Sequence, residues 1–162
     1  MKDHITIEGH DGAFAAYIAR PETLPAPAVV VLQELFGVNA DIRKHCDELA
    51  EQGYLALAPD LYWRQEPGVD LNVTSQADWD HGLSLYSVYD RDAGVRDIKD
   101  TIDAARSLPE CNGKVALLGY ASWKSLPRMK SPAPHSTHGS NNPCAYWTGR
   151  ILWPSTTIII SR

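Results

Sequence analysis

The sequence predicts an α/β fold whose sheet is mainly parallel and is led by an antiparallel hairpin. Over residues 1–120, short apolar runs alternate with helix-patterned segments, an order that produces βαβ units. The run Ala28–Leu32 is apolar without interruption, which is typical of a strand covered on both faces. With 162 residues, 44% of them hydrophobic, the chain is long enough to bury a core.

Turn residues delimit the predicted strands. Asp11-Gly12 separates the first two and is a hairpin signal. Pro59 ends the fourth strand, and Asn112-Gly113 introduces the fifth. Between them, Asp60 to Asp70 is predicted to form a loop. The five strands are expected at Ile5–Glu8, Phe14–Ala19, Ala28–Leu32, Tyr54–Ala58 and Lys114–Leu118.

Three helices complete the pattern. The first runs from about Asp41 to Gln52 and ends at Gly53. The second is weakly patterned, and the third is strongly periodic with Asp90 or Asp92 as its N-cap. Their apolar faces are expected to contain Ile42, Cys46, Leu49 and Ala50 in the first helix, and Val95, Ile98, Ile102 and Ala105 in the third. The second and third are expected at Ala77 to about Tyr86 and at Asp92 to Ser107.

The last 42 residues differ in composition from the rest. Residues 1–120 contain all 20 acidic residues and 10 basic ones, whereas 121–162 contain five basic residues and no acidic one. Seven serines, five prolines and three tryptophans also fall there, without helical or strand periodicity. Only Ser155 to Ile160 is β-prone, and we expect it to be isolated. The sequence therefore predicts two regions: part of a domain at 1–120, and an aberrant, out-of-frame or disordered tail at 121–162.

Several broad classes of function are disfavoured. A net charge of −5 argues against nucleic-acid binding, and no apolar run approaches the roughly 18 residues of a membrane span. Three widely spaced cysteines, Cys46, Cys111 and Cys144, suggest reduced thiols. We therefore expect a cytoplasmic protein that binds neither nucleic acid nor membrane and needs no cofactor. The oligomeric state is not predicted.

Chemistry is expected in the loops that follow the strands. In parallel sheets, ligands bind beyond the carboxyl ends of the strands. The loop after Leu32 begins Gln33-Glu34, although spacing alone favours an ordinary solvated carboxylate there. In the next loop, Asp60 and Arg64 are expected to form a local ion pair. The third loop follows Gly119, where a nucleophile elbow would lie.

Three separated motifs carry a resemblance to a known family. They are Gln33-Glu34-Leu35-Phe36-Gly37-Val38-Asn39, then Gln52-Gly53-Tyr54 with Ala58-Pro59-Asp60-Leu61-Tyr62, then Gly113-Lys114-Val115 with Gly119-Tyr120. In this order they resemble the dienelactone hydrolase family of α/β-hydrolases, over about 120 residues. The expected sheet is then that of an α/β-hydrolase, truncated after the strand that precedes the nucleophile elbow.

The resemblance implies hydrolysis of small ester or lactone substrates by a Cys–His–Asp triad. Glu34 matches the glutamate that holds the resting thiol, and Leu35 matches the residue whose backbone N–H helps to form the oxyanion hole. Trp79 stands where the family has an arginine that binds the substrate carboxylate. The nucleophile position is Ala121, whose methyl group cannot attack a carbonyl.

No triad can be written from this sequence. No aspartate follows Asp103, and His135 and His138 do not lie in the Gly-His-x-Phe setting of the family. These two histidines with Cys144 also make an unconvincing metal site, since no carboxylate follows. Our preferred hypothesis is a reading-frame shift directly after Tyr120. The alternatives are a non-catalytic binding protein that keeps the Glu34 and Asp60 loops, and an esterase that uses Ser122.

Overall fold

The computed structural model describes residues 4–120 and 156–161, with side chains for 4–119. It contains nine elements: β1 His4–Gly9, β2 Gly12–Ala19, β3 Ala26–Val31, α1 Ala40–Glu51, β4 Leu55–Pro59, α2 Gln76–Ser87, α3 Arg91–Ser107, β5 Cys111–Tyr120 and β6 Thr156–Ser161. Every predicted strand and helix of residues 1–120 is present, with ends that differ by a few residues. The predicted α/β class is confirmed.

The strands form one sheet in the order β1-β2-β4-β3-β5-β6. The three central strands β4, β3 and β5 are parallel to one another. The β1–β2 hairpin is antiparallel and adds to β4 in antiparallel fashion. The predicted combination of a parallel centre and a leading hairpin is therefore confirmed.

β6 was not predicted to join the sheet. It pairs antiparallel with β5, from Val115 opposite Ser161 to Tyr120 opposite Thr156. The expectation of an isolated β-prone segment is therefore wrong. A crossover helix is not required, because an antiparallel neighbour can return from the same end of the sheet.

Helices cover both faces of the sheet. On one face, Ile98, Ile102 and Ala105 of α3 pack against a cluster that includes Val30 and Leu57. On the other face, α1 contributes Ile42, Cys46 and Ala50 to a cluster with Val29, Val31, Ala56 and Ala58. Strand residues alternate between the two faces, as the pleat requires. This double coverage explains why the central strands are apolar on both sides.

Side-chain caps set the helix starts. Asn39 accepts a hydrogen bond from the Ile42 N–H, and Asp90 accepts from Asp92 and Ala93. Ser75 caps α2 by accepting from the Asp78 N–H. The weak pattern of α2 reflects its small buried face, which consists of Gly82 and Leu85. Among the described residues, no helix has the length and apolar character to cross a bilayer.

Candidate active site

The loop after β3 is a tight turn held against a second loop. The Gly37 N–H donates to the Glu34 carbonyl at 3.4 Å, and the Leu71 N–H donates to the Phe36 carbonyl at 3.0 Å. Gly37 has φ +75°, and a Cβ there would lie 2.1 Å from the Val69 carbonyl oxygen. Only glycine fits both the backbone angle and this approach. The position of Glu34 is therefore fixed by the neighbouring 69–71 segment.

This turn lies beside the end of β5. The Leu32 N–H donates to the Leu118 carbonyl at 2.8 Å, and a Cβ on Gly119 would lie 3.4 Å from Leu32 Cδ1. β3 and β5 therefore end side by side at the same edge of the sheet. The chain leaves β5 at Tyr120, next to the point where Glu34 leaves β3.

The Glu34 carboxyl group is half-buried. Burial raises its pKa, and nearby Asp41 raises it further, while His45 lowers it. Within residues 4–119, the structure gives this carboxylate no hydrogen-bond partner. Half-burial makes the charged form of this group costly, and a donor from another part of the molecule, a ligand or water would lower that cost. Glu34 is thus a functional-site candidate, with the raised pKa that such positions often show.

Gln33 joins the two loops at this edge. Its side chain is fully buried, and its Oε1 accepts a hydrogen bond from the Leu61 N–H at 2.8 Å. One amide side chain therefore connects the turn that carries Glu34 to the loop that begins at Asp60. This is a positional role, since it holds two segments that converge on the end of β5.

Asp60 organises its own loop. It is 7% exposed, and its two carboxylate oxygens accept from the Tyr62 N–H at 3.0 Å and the Gly68 N–H at 2.7 Å. Burial raises its pKa, whereas these backbone donors lower it. The predicted ion pair between Asp60 and Arg64 is therefore wrong, because the Asp60 carboxylate closes its own loop through backbone donors.

Arg64 instead joins a cluster beneath the hairpin. It pairs with buried Asp97 of α3 and, at 2.7 Å, with Asp11 of the β1–β2 turn. Arg96 also donates to Asp11, at 2.9 Å. The Trp63 ring lies 4.4 Å from the Arg64 guanidinium carbon, and its Nε1 donates to Asp97 at 3.0 Å. This arrangement holds the hairpin against α3, and within residues 4–119 no hydrogen bond or ion pair joins it to the Glu34 side chain.

α2 packs on the Glu34 turn from outside. A Cβ on Gly82 would lie 2.8 Å from the Leu35 carbonyl oxygen. The Trp79 ring meets the Phe36 ring edge to face, with centroids 4.8 Å apart, and its Nε1 donates to the Val73 carbonyl at 2.7 Å. Trp79 remains 42% exposed. Leu35 therefore packs against Gly82 of α2, and Trp79 packs against Phe36 of the same turn.

Cys46 is a packing residue, as predicted. It is fully buried in the α1 face of the core, and burial raises its pKa to about 12, which suppresses the reactive thiolate. Over residues 4–119, no group of three or more His, Cys, Asp or Glu side chains is placed to hold a metal ion. The candidates Ala121, Ser122, His135, His138 and Cys144 lie outside the described residues.

A family model described as "Dienelactone hydrolase family" matches residues 14–122. The match covers most of the chain and ends one residue after Ala121, the nucleophile position of the elbow.

The chain belongs to the dienelactone hydrolase family.

Individual relatives and solved structures support the same family assignment. A carboxymethylenebutenolidase of Pseudomonas putida is 41% identical over 127 residues, which cover 78% of this chain and 54% of that protein. A protein of a Synechocystis species is 32% identical and covers 91% of this chain and 66% of its own length. A Klebsiella pneumoniae crystal structure described as "Putative Dienelactone Hydrolase" matches with TM-score 0.59 and 30% identity, over 74% of this chain and 49% of its own.

The match covers most of this chain but only part of the relative's length. The chain spans about half the length of the first of these curated relatives. It thus carries the family's β3 turn, the Asp60 loop and the strand that leads to the elbow. The activity of a full-length family member is therefore not assigned to this chain by the match alone.

Sequence reasoning missed three positioning features of this dienelactone hydrolase fold. Gln33 gave no signal because a buried amide has no periodic signature. The close approach of Gly37 to Val69 depends on a contact 32 residues away. The Asp11–Arg64 pair joins residues 53 positions apart, so local spacing favoured the nearer Asp60. The only sequence signal that would have suggested the cluster of Asp11, Arg64 and Asp97 is a charged residue among apolar positions that has no opposite charge nearby in the sequence.

Proposed function

We propose that residues 1–120 are the N-terminal part of an ester or lactone hydrolase of this family, and that this chain by itself does not catalyse the reaction. The observation that carries the first half is Glu34, an unpartnered, half-buried carboxylate among the described residues at the sheet edge where β5 ends. In a complete site, a thiol leaving β5 would supply the missing donor. Leu35 would then present its backbone N–H to the oxyanion.

The second half rests on the sequence after Tyr120. Hydrolysis through an acyl-enzyme needs a nucleophile, a base that takes its proton and a group that orients the base. Ala121 offers a methyl group, and residues 122–162 contain no acidic residue that could orient a histidine. The first step, attack on the carbonyl carbon, therefore has no electron pair to start it at this position.

Turnover of 4-nitrophenyl acetate tests the proposal. We expect the chain to release nitrophenolate at the rate of buffer alone, while the Pseudomonas putida relative serves as the active control. An esterase that uses Ser122 instead predicts turnover that Ser122→Ala abolishes. Circular dichroism of each sample distinguishes an inactive folded chain from an unfolded one. Turnover that is unaffected by Ser122→Ala and lost in Glu34→Gln would contradict the inactive assignment.

We attribute the tail to a reading-frame shift after Tyr120. The absence of acids in 42 residues and a family match that stops at residue 122 support this origin. Translation of the underlying DNA in the other two frames tests it. We expect one frame to continue with Cys-x-Gly-Gly and to contain a later Asp and His. If neither frame does so, the tail has another origin.

A non-catalytic binding protein is the second candidate. Two observations favour it: β6 pairs with β5, and one relative aligns with 91% of the chain, well beyond residue 120. In this case the tail would belong to the folded domain. Limited proteolysis discriminates, since a binding protein should be monodisperse and protected beyond residue 120, whereas an unrelated tail should be cleaved there.

We further propose that an intact version of this site prefers uncharged substrates. Trp79 replaces a guanidinium with an indole beside the Glu34 turn, and it packs on Phe36. Loss of a charge-assisted contact should weaken binding of an acidic lactone by about tenfold or more. In the restored frame, Trp79→Arg should raise kcat/KM for an acidic lactone relative to phenyl acetate. An unchanged ratio would remove Trp79 from the determinants of specificity.

A cytoplasmic location is also proposed. It is supported by Cys46 and Cys111, which are both free thiols, as expected in a reducing compartment. Fractionation of cells that express the chain tests this location, with the soluble lysate as the expected fraction.

A further inference from the structure

The side of β5 that faces away from β3 would be prone to pair with another chain if no strand covered it. Between Val115 and Tyr120 the strand reads Val-Ala-Leu-Leu-Gly-Tyr, without a charge or a proline. Val115 and Leu117 are buried on the α3 face, and Ala116 and Leu118 are partly buried on the α1 face. A flat apolar strand with free N–H and C=O groups is a template for pairing with another chain.

One hydrogen bond between β5 and β3 shows which amides of β5 face β3 and which face the other side. The Leu118 carbonyl accepts from the Leu32 N–H at 2.8 Å, so Leu118 turns its backbone groups toward β3. Along a strand, the backbone groups of successive residues point to alternate sides. Ala116 therefore faces β3 as well, whereas Leu117 and Gly119 face the opposite side, where β6 lies.

The register assigns the matching residues of β6. Leu117 lies opposite Ile159, and Gly119 lies opposite Thr157. The backbone N–H of Ile159 therefore faces β5, and that of Ile160 faces outward, because β6 is the last strand of the sheet.

We propose that β6 closes the open edge of β5 within the same molecule and thereby prevents this edge from pairing with a second copy of the chain. The protection is backbone-based, so it does not depend on catalytic activity or on the origin of the tail. The two strands meet in an antiparallel register of six residues, which is a complete strand length by the standards of globular proteins. Intramolecular pairing also has the advantage of a high effective concentration over a second copy at micromolar levels.

Hydrogen exchange on the full chain tests the proposal. In the unaltered protein we expect slow exchange at the Leu117 and Gly119 amides and a monomer mass by light scattering, both independent of protein concentration. Ile159→Pro removes a donor that faces β5, and should accelerate exchange at Leu117 and Gly119 by about tenfold or more. It should also produce concentration-dependent dimers or larger species.

Ile160→Pro is the matched control, because it removes an outward donor, which edge strands tolerate. It should leave exchange and mass unchanged. Amides of Ala116 and Leu118, which face β3, report whether the sheet remains folded. The proposal fails if Leu117 and Gly119 exchange rapidly in the unaltered chain, or if Ile159→Pro leaves them protected. It also fails if their protection disappears on dilution together with a dimer, since a second copy would then cover the edge.

Discussion

Two acidic residues follow neighbouring parallel strands at one edge of the sheet, and their surroundings are opposite. Asp60, after β4, accepts two backbone hydrogen bonds and closes its own loop. Glu34, after β3, is half-buried and has no hydrogen-bond partner among residues 4–119. Both have raised pKa values for the same main reason, burial. Only the first is satisfied by backbone donors, so Asp60 supports the scaffold, and Glu34 is the residue to which the proposed function assigns a chemical role.

The largest expected effect comes from the glycine that shapes the Glu34 turn. Gly37→Ala should lower the free energy of unfolding by about 3 kcal/mol, because φ is positive and the new Cβ meets the Val69 carbonyl. Gly68→Ala, in the Asp60 loop, is the control: its φ is +78° but its Cβ would meet open space. It should cost about 1 kcal/mol. Equal losses in urea unfolding would mean that the approach to Val69 is relaxed.

Removal of the satisfied carboxylate comes next. Asp60→Ala should cost about 2 kcal/mol, because the Tyr62 and Gly68 N–H groups lose their acceptor. Asp60→Asn keeps one acceptor oxygen and should cost less. Thermal unfolding measures both variants. If Asp60→Ala leaves the stability unchanged, water replaces the carboxylate as acceptor, and the contrast with Glu34 disappears.

The unsatisfied carboxylate should behave in the opposite way. Glu34→Gln should stabilise the chain at pH 7, by less than about 1 kcal/mol after solvent screening, because burial penalises the charged form. A raised folded-state pKa means that this penalty is full above the folded pKa and vanishes as pH falls below the unfolded value. The gain should therefore be absent at acid pH. Glu22 is exposed, and Glu22→Gln is the control. It should leave the free energy of unfolding unchanged at both pH values.

How far the sequence could anticipate this contrast depends on the range of each interaction. Uninterrupted apolar runs and helical periodicity were sufficient for β3, α1 and α3, because burial on two faces leaves a local pattern. The pattern of α2 is weaker because this helix buries only Gly82 and Leu85, although its presence was also predicted. The motif around Glu34 placed this carboxylate directly after a buried strand, and the structure has it after β3. Its missing hydrogen bond could not be read from the sequence, because it depends on which donors the folded chain brings near.

The Arg64 error has the same origin. Charges four residues apart suggested a local pair, but the Asp60 oxygens are taken by backbone N–H groups, and Arg64 reaches Asp97, 33 positions away. β6 likewise has a local β-prone signal at most, and its partner strand is chosen by the open edge of β5. In each case the deciding contact lies far along the chain, where periodicity carries no information.

The smallest expected effect concerns acid stability away from the site. Hydrogen bonds from Arg96, and secondarily from Arg64, lower the pKa of Asp11. Its contribution is therefore full above about pH 4 and is lost as pH falls through the lowered folded pKa. Asp11→Asn should flatten the fall of the urea midpoint with pH in that window. Asp103→Asn, which removes only exposed ion pairs along α3, should leave the fall unchanged.

The strand order has a consequence for chain growth. β2 and β3 are consecutive in sequence, yet β4 lies between them in the sheet. The hairpin and β3 must therefore stay apart until residue 59 is available, since a direct β2–β3 pairing would occupy the slot of β4. In the native sheet β4 pairs with β3 on one side and with β2 on the other, so the sheet cannot grow by adding each strand beside the one that precedes it in sequence.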